Sequence, residues 1–531
     1  MRALTGTGQL LRLAIRRDRI LLPVWIVVFA GTAAVSAAAT VGLYPTVESR
    51  VATAEAANGT ASLVAIYGRI YDPTSLGALS MLKMSVLGAA MVSVLMIIVT
   101  VRHTRAEEET GRLELLGSTV VGRYAPLSAA LLLSCGVSIA LGLFTGAGLM
   151  TAGLPISGSL AFGMGWACVG FAFSAVAGVA AQLARTARAA IGLSVAVLGA
   201  TYLMRAVADS GGSDGLTWLS WPSPLGLGQQ VRPFAGDRWW VLLILLAVAL
   251  ALTVVAFALA STRDLGAGIL ADSPGPAKAG VGLSGAIGLA WHLQRGALLA
   301  WLGGFVVLGA VLGNVASNAS TMLESDQARD MIARLGGGGS LTDAFLATEM
   351  GFAGFLAAAY GMQASLRLRS EETSLHAEAL LATATTRLRW ALSHITVAAA
   401  GTAVLLLAGG AAAGLAHAAQ TGQPSQFGRV LLAAAVQIPA ALILVAVVVL
   451  LFGLVPRLVH GGWIVLIAFL LVAELGPLLR LDPIIMDVSP FAHVPKLPGG
   501  DVTASPLIVL ATLAALLTIV GLAGFRRRDV G

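Results

Sequence analysis

Apolar residues run in continuous stretches near twenty positions long, separated by short segments that collect most of the arginines and carboxylates. A helix needs a run of that length to cross about 30 Å of hydrocarbon. A membrane strand would instead alternate apolar and polar residues over roughly ten positions. The runs predict helices at 20–42, 81–101, 125–150, 159–183, 189–209, 239–260, 297–317, 345–366, 391–416, 428–455, 461–479 and 506–524, about twelve in all. The second begins at Lys83, and the fifth, eighth and eleventh carry Arg205, Glu349 and Glu474.

Composition agrees with the pattern. The 531 residues are 57% hydrophobic and 11% charged, against about 25% charged in soluble proteins. The chain is therefore an all-α integral membrane protein. Thirty of its 33 basic residues are arginine. No basic groove interleaved with aromatics is visible, so nucleic acid is not an expected partner. Cys135 and Cys168 lie inside apolar runs and read as packing residues.

Charge sets the expected orientation. With the N-terminus inside, 22 of the 33 basic residues fall on inner segments, which places both termini in the cytoplasm. Before the first run, Arg12, Arg16 and Arg19 share one helical face while Leu10, Leu13 and Ala14 lie on another, as in a helix resting in the headgroup plane.

The chain also repeats itself. One inner segment carries Arg102, Arg105, Glu107, Glu108, Glu109, Thr110, Glu114, Leu116 and Arg123; a later one carries Arg367, Arg369, Glu371, Glu372, Thr373, Glu378, Leu381 and Arg387. Glu114 and Glu378 are 264 apart, Ser223-Pro224 and Ser489-Pro490 266 apart, and Arg263-Asp264 and Arg528-Asp529 265 apart. These offsets predict a duplicated chain of two parallel six-helix repeats, 1–260 and 291–531, joined by a cytoplasmic linker at 261–290. Lys83 and Glu349, also 266 apart, are candidates for a charge pair across the axis relating the repeats. Arg205 and Glu474 are a second related pair, and all four are candidates for a pathway through the membrane.

The repeated cassette reads as a docking element. Glu108 and Glu109 sit early in a short helix, where carboxylates suit the positive end of the dipole. Leu113, Leu116 and Val120 give it an apolar stripe. Matching Thr110 with Thr373 leaves four positions to Glu114 but five to Glu378, so the two docking helices are expected to differ in phase.

The run from Glu108 to Leu116, followed by Arg123, resembles the first cytoplasmic loop of type-two ABC exporter permeases. Its doubling, with Ser-Pro on the outer side and Arg-Asp at the end of each half, resembles the fused double-length permeases that export polyketide antibiotics. The resemblance implies a non-catalytic permease subunit in the bacterial cytoplasmic membrane, moving amphiphilic or hydrophobic compounds outward. It implies a coupling helix in each repeat, with Glu108, Glu109, Leu113, Glu114, Leu116, Arg123, Glu371, Glu372, Glu378, Leu381 and Arg387 as docking residues for two copies of a separate ATPase.

The chain has no phosphate-binding loop, since none of its lysines, Lys83, Lys278 and Lys496, follows the required glycines. The glycine run 336–339 lacks the lysine as well. ATP and Mg are thus expected on the partner and no cofactor on this chain. Seven scattered histidines suggest neither a metal centre nor a catalytic site. The alternative is a proton-coupled transporter of the major facilitator type, which also has twelve helices in two parallel halves. Its Gly-x-x-x-Asp-Arg-x-Gly-Arg-Arg loop is absent.

Overall fold

The computed structural model describes all residues except 1, 60, 114–119, 211–215, 265, 271–277, 279, 284, 317–340, 480–481 and 530–531; a few helical side chains, those of 474–479 among them, are also left out. Among the described residues there is no strand, and 12 helices are long and apolar enough to cross a membrane. The chain forms two compact units, Met1–Pro274 and Gly275–Gly531.

Unit 1 holds α1 (Leu21–Leu43), α2 (Leu82–Arg102), α3 (Ala125–Thr151), α4 (Ile156–Leu183), α5 (Ala187–Ser210) and α6 (Trp240–Thr262). Its hub is α4, which packs on α2, α3, α5 and α6. Small residues make that possible: a Cβ on Gly142 of α3 would lie 2.5 Å from the Gly163 carbonyl of α4. In lipid, where apolar faces gain little by meeting, such backbone approach is a main source of helix association. The helix Thr7–Arg17 precedes α1 and packs on α3. It buries Ala14, but Leu13 is 59% exposed with Arg12 and Arg16, so the inward face is narrower than expected.

Unit 2 holds α7 (Ala286–Ala316), α8 (Leu341–Ser365), α9 (Arg387–Thr421), α10 (Ser425–Leu454), α11 (Gly462–Leu479) and α12 (Ala504–Arg527). Here α7 lies against α9, close enough that a Cβ on Gly309 would stand 2.1 Å from the Gly409 carbonyl. Helix α7 begins at Ala286, eleven residues before the expected 297. The polar residues that argued for a loop are accommodated: Gln294 is buried and its Nε2 lies 3.0 Å from His394 Nδ1. Helix α10 is two pieces, Ser425–Ala435 and Ile438–Leu454, with Pro439 just past the break. Proline lacks the N–H that would continue the ladder.

Candidate partner-docking site

In unit 1 the cassette is tied down by a knot of charges where α2, α4 and α6 end. The short helix Arg105–Glu109 follows α2. Arg105 is 1% exposed. Its guanidinium donates to the Ala181 carbonyl at 2.9 Å, the Ala267 carbonyl at 3.1 Å and Glu108 Oε2 at 2.6 Å. Arg263, just past α6, grips Glu108 with both terminal nitrogens, at 2.5 and 3.0 Å, and donates from Nε to Gln182 Oε1 at 2.7 Å. Arg123 closes the knot from the start of α3, donating to the Arg263 carbonyl at 2.7 Å and the Ala260 carbonyl at 3.1 Å. Fork-to-fork pairing of arginine and carboxylate is short, strong and directional.

Unit 2 ties the same knot. Arg528, just past α12, grips Glu372 with both terminal nitrogens, at 2.5 and 3.0 Å. Arg369 adds a bond to Glu372 Oε2 at 2.8 Å, and Arg387 donates to the Arg528 carbonyl at 2.9 Å. The counterparts Arg105/Arg369, Glu108/Glu372 and Arg123/Arg387 are all 264 apart. The floor differs. No glutamine receives Arg528 Nε, which has no hydrogen-bond partner. The guanidinium instead lies 4.8 Å from the Phe452 ring centre and 5.1 Å from that of Phe525.

The two cassettes also share their turn. Gly111 has φ 72° and Leu375 φ 62°, again 264 apart. The repeat therefore runs without an insertion: Glu107-Glu108 matches Glu371-Glu372, and Glu109 matches Thr373. The expected difference in phase came from matching the two threonines, and the backbone corrects it.

The expected docking residues divide into an inner and an outer set. Glu108, half-buried, and Glu372, buried, are held within the knots, and Glu371, also buried, accepts from Arg367 Nε at 2.8 Å. Glu109 is exposed yet accepts from the Ala187 amide at 3.0 Å, capping the start of α5. Leu113 is buried, and Leu381 packs on the core of unit 2. Of the expected residues Glu378 faces outward; beside the expected set, Thr110, Arg112 and Val120 in unit 1 and Leu375 and His376 in unit 2 are exposed as well. Arg123 and Arg387 are exposed, each beside its own knot. Glu114 and Leu116 lie outside the described residues. Sequence reasoning missed the roles of Arg263 and Arg528, although both stood out as repeat markers.

The charges expected within the membrane have separate surroundings. Arg205 is fully buried in unit 1. It donates to the Val64 carbonyl at 3.2 Å, to the Ala65 carbonyl and to Asp209 Oδ2 at 3.3 Å, capping the helix Ala61–Tyr67. Beside it, outside the spans, Arg232 lies 4.1 Å from the Tyr71 ring centre. Burial, helped by the charge of Asp209, pushes the Tyr71 phenol up to about 12, so it stays protonated. Lys83 is exposed in unit 1, and Glu349 is half-buried in unit 2. The side chain of Glu474 lies outside the described residues. Among the described residues no three His, Cys, Asp or Glu could hold a metal ion.

Twelve long apolar helices among the described residues, with matching polar knots at one end of each unit, mark a multi-pass membrane protein whose two units share a plan. Over 529 residues the chain is 45% identical to the multidrug efflux system permease protein Rv1217c of Mycobacterium tuberculosis, covering 99% of this chain and 95% of that protein. Residues 283–526 match the family model described as the C-terminal domain of multidrug efflux system permease Rv1217c. The chain belongs to this family of multidrug efflux permeases and is a multi-pass protein of the bacterial inner membrane.

Proposed function

We propose that the chain is the membrane subunit of an ATP-driven exporter of the ABC type, moved by two copies of a separate ATPase, one on each cassette. The observation that carries this is the repeated knot. In each unit it fastens the cassette to the end of the last span, through Glu108 and Arg263 in one and Glu372 and Arg528 in the other. A push on either cassette reaches several helices as one body. The outward residues, Arg112 with Val120 and Leu375 with His376 and Glu378, are the contact points. ATP and Mg belong to the partner, and the cassettes and both termini face the cytoplasm. The cargo is an amphiphilic or hydrophobic compound.

The test is transport into inverted membrane vesicles holding the chain and the ATPase that purifies with it. Uptake requires ATP, persists when an uncoupler collapses the proton gradient, and the isolated complex holds two ATPases per permease. Uptake driven by the gradient without ATP would overturn the proposal.

A further inference from the structure

The two units treat one internal position differently. In unit 1, Trp166 of α4 is 3% exposed and lies so close to Gly88 of α2 that a Cβ there would stand 2.2 Å from the indole. In unit 2 the matching pair of helices, α10 and α8, meets at Gly354, where a Cβ would stand 3.0 Å from the Phe491 ring and 3.1 Å from Gln437 Oε1. The small amide leaves space. A cavity of about 230 Å³ opens there, with Phe352, Phe355 and Phe491 among its walls, Gln437 and Ser489 at its polar end and the exposed Lys496 at its rim. Gln437 is 6% exposed and Ser489 1%, yet neither Gln437 Oε1 nor Ser489 Oγ has a hydrogen-bond partner. Ser223, the counterpart of Ser489, is satisfied: it accepts from the Gly226 amide at 3.1 Å and donates to the Thr201 carbonyl at 2.8 Å.

Buried polar atoms are ordinarily paired, and broken membrane helices occur where they line a cavity or binding site. Gln437 sits in the break of α10, between Ala435 and Ile438. Three aromatic side chains and a few convergent polar atoms are the makings of a small-molecule site. We infer that unit 2 carries a binding site for an aromatic amphiphile with a hydroxyl or amide N–H donor, the ring among the phenylalanines and the donor on Gln437 Oε1. The inference rests on the efflux function proposed above, for which it supplies a seat for cargo. Glu349, on the same helix as Phe352, is not part of the lining.

The test uses the full chain in lipid nanodiscs without ATPase, so its result is independent of the docking experiment. Binding of 2-naphthol and of 2-methoxynaphthalene, which has no donor, is measured by equilibrium dialysis, with empty nanodiscs subtracting lipid partition. The expected result is one saturable site that prefers 2-naphthol at least about tenfold, the scale of one well-made hydrogen bond. Gln437→Leu removes the preference while the methyl ether binds as before. Met486→Trp, which fills the space from another lining residue, removes saturable binding of both. Thermal unfolding verifies that each variant is folded. Three results would overturn the inference: no saturable binding, so that only water meets the polar pair; equal affinity for the two compounds; or a preference that survives Gln437→Leu.

Discussion

Unit 1 and unit 2 hold their cassettes with the same carboxylate and the same three arginines, but on different foundations. In unit 1 the knot is hydrogen-bonded throughout: Arg105 is enclosed among backbone carbonyls, and Gln182 takes the last nitrogen of Arg263. In unit 2 the counterpart Arg369 is 24% exposed and bonds Glu372, while Arg528 rests against two phenylalanines. What both units keep is the connection between the cassette and the last span. The same divergence recurs deeper in the membrane, where a tryptophan closes unit 1 and a glutamine leaves unit 2 open. The ion pair between cassette and last span is common to both units, while its surroundings differ.

Equivalent substitutions in the two units can break this comparison. The largest effect is expected at Arg105. Arg105→Ala leaves Glu108 and two carbonyls short of a buried donor and costs about 3–5 kcal/mol. Arg369→Ala, at the matching position, costs about 1 kcal/mol or less. Equilibrium unfolding in mixed detergent micelles measures both, and equal costs would remove the distinction. Next, Trp166→Ala opens a cavity in unit 1 and costs about 3–5 kcal/mol. Gln437→Leu removes an orphaned acceptor and stabilises unit 2 by about 1 kcal/mol. A smaller effect is expected beneath Arg528: a double-mutant cycle with Phe452→Leu and Arg528→Lys gives a coupling of about 1–2 kcal/mol, the range for a desolvated cation over a ring. At the shared turn the two equivalent changes have opposite signs. Leu375→Gly relieves a left-handed leucine and stabilises by about 0.5–1 kcal/mol, whereas Gly111→Leu costs about 1–2 kcal/mol.

The spans were legible because lipid forces long apolar runs, and the paired cassettes because marker residues recur at nearly constant offsets. The start of α7 was not, because Gln294 looks like a loop residue until His394, a hundred positions later, supplies its partner. The cassettes stood out by charge, but their register could not be settled from glutamates and threonines alone. It became clear from the shared turn at Gly111 and Leu375. The inward roles of Glu108 and Glu372 were hidden for a related reason. Each pairs with an arginine about 155 positions away, and local periodicity carries no information about such contacts. Arg205 looked like a pathway charge because its ligands, backbone carbonyls on a distant short helix, leave no mark in the pattern of side chains.

The central claim is that the two knots carry force from cassette to spans. It is tested most directly by the amount of compound moved per ATP hydrolysed, measured in inverted vesicles for the double variant Arg263→Ala, Arg528→Ala beside the unaltered protein. The ratio is expected to fall at least about tenfold while hydrolysis continues. An unchanged ratio would contradict it.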